Sequence, residues 1–123
     1  MTRIEVYKEN YQRRQARLWA ERERQRQQTL AAVIPQLQTV ARRHGRQISR
    51  LFLFGSLVRP GHFMSASDID VAVEWREKGD YFALWRELEE AVGREIDLRE
   101  LGDDLFSQRV RESGMLIYES GSD

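Results

Sequence analysis

The chain has 123 residues, which is enough for one domain and too few for two ordinary ones. Twenty Lys and Arg residues balance twenty Asp and Glu residues, so the net charge gives no reason to expect a nucleic-acid or membrane binder. The absence of cysteine excludes disulfides and cysteine-based zinc sites. Because there is neither a long apolar run nor the apolar centre of a secretory signal, we expect a cytoplasmic protein.

Residues 1–28 predict a helical extension. The segment has no Gly or Pro, is rich in good helix formers, and holds eight basic and four acidic side chains. Its apolar residues form only a narrow stripe, which consists of Ile4, Tyr7, Tyr11, Leu18 and Trp19. Three interpretations stay open: a solvated helix that packs on its own domain, a homo- or hetero-oligomer surface, and an RNA-binding arm. A helix this polar gains little stability by packing on the core of its own domain. This favours the interpretation as an oligomer surface.

Residues 29–123 predict one α/β domain. A full amphipathic helical stripe covers residues 29–44, and Pro35 is expected to kink or break it. Later segments alternate between strand and helix patterns. The predicted strands are residues 48–54, 69–75, 95–99 and 115–118, and the predicted helices are residues 81–92 and 103–112. Together they predict a small mixed β-sheet packed by helices.

Asp68 and Asp70 open the second predicted strand. Because strand side chains alternate between faces, both carboxylates point to one side while Ile69 turns to the core. Such a pair repels itself unless a cation neutralises it, and all-oxygen ligands favour Mg²⁺ or Mn²⁺. Asp97 has the same outward position in the next strand, so three carboxylates converge if the two strands are neighbours. That triad can hold two metal ions, which would bind a triphosphate and activate an attacking hydroxyl.

The first predicted strand ends in Gly55-Ser56. Gly55 lets the backbone approach a ligand closely, and Ser56 offers a hydroxyl and an N–H at the start of a helical turn, where anions are favoured. This pattern predicts phosphate recognition beside the cation. The eleven-residue loop that follows contains Arg59 and also His62, which is either a substrate contact or a solvated loop residue.

The run FGSLVR, followed by SDIDVAV, resembles the nucleotidyltransferase domain of the DNA polymerase beta superfamily in its minimal (MNT) form. The resemblance covers residues 29–119 and implies the polymerase-beta-like fold. It implies catalytic metal ligands at Asp68, Asp70 and Asp97, and nucleotide phosphate contacts from Gly55, Ser56 and Arg59. Two features depart from the family: the loop is one residue longer and contains Pro60, and residues 1–28 extend beyond the minimal domain.

Minimal nucleotidyltransferases of similar size are typically antitoxins of HEPN ribonuclease toxins, and members of that group adenylylate a toxin tyrosine. The resemblance therefore implies an enzyme that uses ATP and Mg²⁺ or Mn²⁺ and has a cognate HEPN toxin as its partner. Two alternatives stay open: an antibiotic-type nucleotidyltransferase that acts on small molecules, and a non-catalytic module that only binds the toxin. The presence of all three acids favours catalysis.

Overall fold

The computed structural model describes residues 1–121, in which three helices and four strands follow one another. The helices are α1 (Arg3–Arg43), α2 (Tyr81–Val92) and α3 (Leu105–Ser113), and the strands are β1 (Ile48–Phe54), β2 (Ile69–Trp75), β3 (Ile96–Glu100) and β4 (Met115–Glu119). The four predicted strands and the two shorter predicted helices are confirmed to within two residues at each end. Residues 122 and 123 of the predicted domain lie outside the described range.

The four strands form one mixed sheet in the order β3-β2-β1-β4. β1 pairs antiparallel with β2 and β4, whereas β2 and β3 are parallel. Because side chains alternate along β2, Val71 and Val73 enter the main core beneath α1 and α2. Ala72 turns to the opposite face, where it packs with Phe52 and Val110 under α3. The predicted mixed sheet is therefore confirmed, and its second face is the one that carries Asp70.

Helix α1 is continuous across Pro35, so a break at this residue is wrong, whereas the alternative of a kink stays a prediction. Proline removes one helical N–H and leaves the carbonyl four residues earlier without its partner. That carbonyl belongs to Ala31, which is exposed, so water can satisfy it. Val33 and Leu37 on either side of Pro35 are buried in the main core. Their burial favours a continuous helix despite the missing hydrogen bond.

The first 15 residues of α1 form an arm of about 22 Å that begins at a capping box between Thr2 and Glu5. Tyr7 of the predicted stripe is 71% exposed, and the first buried residue of the helix is Glu23. The proposed boundary after residue 28 lies inside this helix, and the division into two units stays a prediction. Among residues 1–121, no helix is long and apolar enough to cross a membrane.

Removal of residues 1–17 is expected to change the unfolding free energy by no more than about 0.5 kcal/mol, because nearly all of these side chains are exposed. If the stripe holds a second chain, as the sequence predicts, the apparent mass in solution should fall by more than the deleted residues. Denaturant titration and light scattering measure the two quantities. A loss of several kcal/mol would instead place the arm in the core of the domain.

Candidate active site

The chain turns sharply where β1 ends, and this turn packs against the acidic face of the sheet. A single turn of 3₁₀ helix, Gly55–Val58, follows Phe54 directly, and Ser56 within it is half-buried. Gly55 has a φ of +73°, in the left-handed region that favours glycine. A Cβ added to Gly55 would lie 2.0 Å from Oδ2 of Asp70. Both the backbone angle and the space therefore require glycine at this position.

The predicted acids lie on neighbouring strands. The parallel pairing of β2 with β3 aligns Asp70 with Asp97, and the antiparallel pairing of β1 with β2 aligns Phe54 with Asp70. Asp70 and Asp97 are half-buried, and Asp68, just before β2, is exposed. The strand adjacency on which the three-carboxylate prediction depends is therefore present.

Electrostatics disfavour the charged form of Asp70. Burial raises the pKa of Asp70 above its ordinary value, and repulsion by Asp97 and Asp68 raises it further, while Arg99 acts in the opposite direction. Arg99 also pairs with Asp97, with its Nε 3.0 Å from Oδ1. Within residues 1–121, no three acidic or histidine side chains lie close enough together to hold a metal ion. Two causes keep the carboxylates apart: their like charges repel one another, and Asp97 pairs with Arg99.

The residues nevertheless fit a divalent cation. Asp68, Asp70 and Asp97 offer only oxygen ligands, which is the donor set of Mg²⁺ and Mn²⁺. The raised pKa of Asp70 has two neighbouring carboxylates among its causes, and a cation would relieve that repulsion. The assignment of these three acids as metal ligands stays a prediction.

An open cleft of about 390 Å³ borders the Gly-Ser turn on the side of α3. Its lining includes Gly55 and the predicted phosphate contact Arg59, together with Phe106 and Arg109 of α3. Phe106 meets Phe54 edge-to-face, with ring centroids 5.4 Å apart. Two guanidinium groups favour an anion, and the aromatic wall can contact a planar ring. Arg109 was not predicted from the sequence, because nothing in the local pattern of α3 indicates which strand end this residue faces.

The loop between the turn and β2 rests on α1. Glu23 and Arg26 of the predicted extension are buried and hydrogen-bond to the backbone of Leu57 and Gly61. This contact was not predicted from the sequence, because a Glu and an Arg three residues apart on a polar helix are typical of a solvated pair. His62 in the same loop is exposed.

The mixed sheet, with a Gly-Ser turn that packs against Asp70, has the arrangement that the sequence resemblance implies for a nucleotidyltransferase. The family model described as polymerase beta, nucleotidyltransferase, matches residues 35–123. This match covers all four strands, and the chain belongs to that family. The predicted fold class is confirmed. No curated protein matches the chain by sequence.

Solved structures with a similar fold come from toxin–antitoxin complexes. A chain of a toxin–antitoxin complex with AMP-PNP has a TM-score of 0.60 and 24% identity, covering 73% of this chain and 76% of that one. A chain of the MntA–HepT toxin–antitoxin complex has a TM-score of 0.54 and 23% identity, covering 71% and 70%. A chain of a complex of tri-AMPylated Shewanella oneidensis HEPN toxin with MNT antitoxin has a TM-score of 0.53 and 23% identity, covering 71% of this chain and 70% of that one. At these identities the likeness establishes the fold.

Proposed function

We propose that this chain is an antitoxin that transfers AMP from ATP to a tyrosine hydroxyl of a cognate HEPN ribonuclease toxin. The proposal is carried by the similarity to a complex that contains a tri-AMPylated HEPN toxin and MNT antitoxin, in a chain of the nucleotidyltransferase family. The similar complex with AMP-PNP supports ATP as the nucleotide.

Each part of the site has a role in this proposal. The backbone and hydroxyl of the Gly55-Ser56 turn bind phosphate oxygens, and the guanidinium of Arg59 neutralises their charge. Asp68, Asp70 and Asp97 hold Mg²⁺ or Mn²⁺, which when bound supplies positive charge to these carboxylates and to the triphosphate. The cleft beside α3 accepts the rest of the nucleotide.

In the transfer step, the tyrosine oxygen forms a bond to the α-phosphorus of ATP. The bond from that phosphorus to the oxygen bridging the α- and β-phosphates breaks, and pyrophosphate leaves. The phenolic proton passes to a carboxylate oxygen of Asp97, which is half-buried at the open edge of the sheet. The remaining contribution of the protein is positioning and charge stabilisation.

The openness of the acidic face favours a protein acceptor over a small molecule. Asp68 is exposed, and β3, which carries Asp97, is an edge strand. Arg99 of this strand is also exposed. Small-molecule sites usually enclose most of their ligand, whereas a side chain presented by a bound partner needs only an accessible edge.

Co-expression with the HEPN-type protein of a neighbouring reading frame tests the proposal. The wild-type chain is expected to restore growth, and the toxin from those cells should carry one or more AMP groups on tyrosine, as read by mass spectrometry. The Asp70→Asn variant should abolish both the added mass and the rescue. Asp103→Asn is the matched control, because Asp103 is exposed and lies outside the site.

Two outcomes would replace the proposal with an alternative. Rescue by Asp70→Asn without added mass on the toxin would indicate neutralisation by binding alone. Transfer from labelled ATP to small molecules but not to the toxin would indicate the antibiotic-type enzyme.

A further inference from the structure

Glu23 and Arg26 form a buried ion pair on α1. Each residue is 8% exposed. Nε and Nη2 of Arg26 donate to Oε1 and Oε2 of Glu23 at 2.7 and 3.0 Å. Such a bidentate interaction is strong and directional. The pair with Arg26, and then the backbone N–H of Gly61, hold the pKa of Glu23 at about 2. The pair is therefore ionised throughout the neutral range.

Both members of the pair also hydrogen-bond to the backbone of the active-site loop. Nη1 of Arg26 donates to the carbonyl of Leu57 at 3.0 Å, and the N–H of Gly61 donates to Oε1 of Glu23 at 2.6 Å. Trp19, one turn before Glu23 on the same helix face, lies against Gly61, where an added Cβ would be 2.7 Å from the indole nitrogen. One face of α1 thus contacts the loop at both ends of residues 57–61.

These contacts flank Arg59 and adjoin Ser56, two of the predicted phosphate-binding residues. Arg59 lies midway between the two anchored backbone groups, and Ser56 directly precedes the first of them. A buried ion pair contributes little net stability, because the cost of removing its charges from water offsets most of the attraction. Its directional contacts do, however, restrict where the backbone of the loop can lie.

We propose that the Glu23–Arg26 pair is a positioning element for the triphosphate of ATP. It holds residues 57–61 so that Ser56 and Arg59 meet the phosphates without a prior rearrangement of the loop. This inference rests on the proposed function and deepens it. It assigns part of the nucleotide affinity to two residues that lie outside the family match, which begins at residue 35.

The test compares two ion pairs of the same helix. In Glu23→Ala, the dissociation constant of MgATP is expected to rise about tenfold, since small displacements of positioning groups have large effects. The KM for ATP should rise with it, while kcat changes less. Hydrogen exchange of the Gly61 amide should become faster. Glu23→Gln, which keeps an acceptor for Gly61, should lie between Ala and wild type.

Glu21→Ala is the matched control, because the Glu21–Arg24 pair has the same spacing but is exposed. It should change neither ATP binding nor Gly61 exchange. Faster Gly61 exchange in Glu23→Ala with unchanged MgATP affinity would overturn the positioning role. Unchanged exchange would also overturn it, since the contact would then not restrain the loop. Absence of MgATP binding by the wild-type protein would overturn the proposed function itself. The exchange rate of the Gly61 amide would still show whether the pair restrains the loop, so the two failures can be told apart.

Discussion

Asp70→Asn is expected to lower kcat/KM for nucleotide transfer by about a thousandfold or more, which corresponds to ~4 kcal/mol of transition-state stabilisation. Asparagine keeps the shape of the side chain that packs against Gly55, but it lacks the charge that a divalent cation requires. The assay is release of pyrophosphate or labelling of the acceptor from ATP. Asp103→Asn, with the same change of charge at an exposed position outside the site, should retain wild-type rates.

The same variant is expected to be more stable than the wild type at neutral pH. The folded protein raises the pKa of Asp70 above 3.8, so the ionised carboxylate destabilises the fold. The advantage of Asp70→Asn should vanish below about pH 3.8, where the carboxyl is protonated in both folded and unfolded chains. The stability advantage should grow as the pH rises from about 3.8 through the raised pKa of Asp70. Denaturation in metal-free buffer across this range measures the effect, and a variant that is less stable at neutral pH would contradict it.

Gly55→Ala is expected to damage both stability and activity. A positive φ costs a residue with a Cβ about 1–2 kcal/mol. The new methyl group must in addition displace the Asp70 carboxylate, because the ideal position of the added Cβ is only 2.0 Å from Oδ2 of Asp70. We expect an unfolding free energy lower by about 2 kcal/mol or more and a transfer rate lower by about a hundredfold. Denaturant titration and the pyrophosphate assay measure the two losses.

Gly93→Ala separates backbone strain from the clash. Gly93 has the same φ of +73° at the end of α2, but an added Cβ would meet nothing within 4 Å. This variant should lose about 1 kcal/mol of stability and no activity per folded molecule. Equal losses of activity in Gly55→Ala and Gly93→Ala would show that the contact with Asp70 is unimportant for transfer.

Local periodicity was enough to predict the strands and the face of each strand on which its acids lie. In β2, alternation places Val71 in the core and Asp70 on the other face, and that relation depends only on the two-residue repeat of a strand. Gly55 was likewise predicted to bring the backbone close to a ligand. The structure adds that a Cβ at this position would collide with the carboxylate of Asp70.

The contacts between distant segments required the tertiary structure. Because polar residues on an isolated helix look alike, Glu23 and Glu21 have the same local pattern, yet only Glu23 is buried against the loop, 38 residues from its partner Gly61. The continuity of α1 across Pro35 depends on the sheet that buries the residues flanking it. Alternation, hydrophobic stripes and turn residues act between near neighbours in sequence, whereas a charged side chain finds its partner only after packing has brought remote backbone groups together.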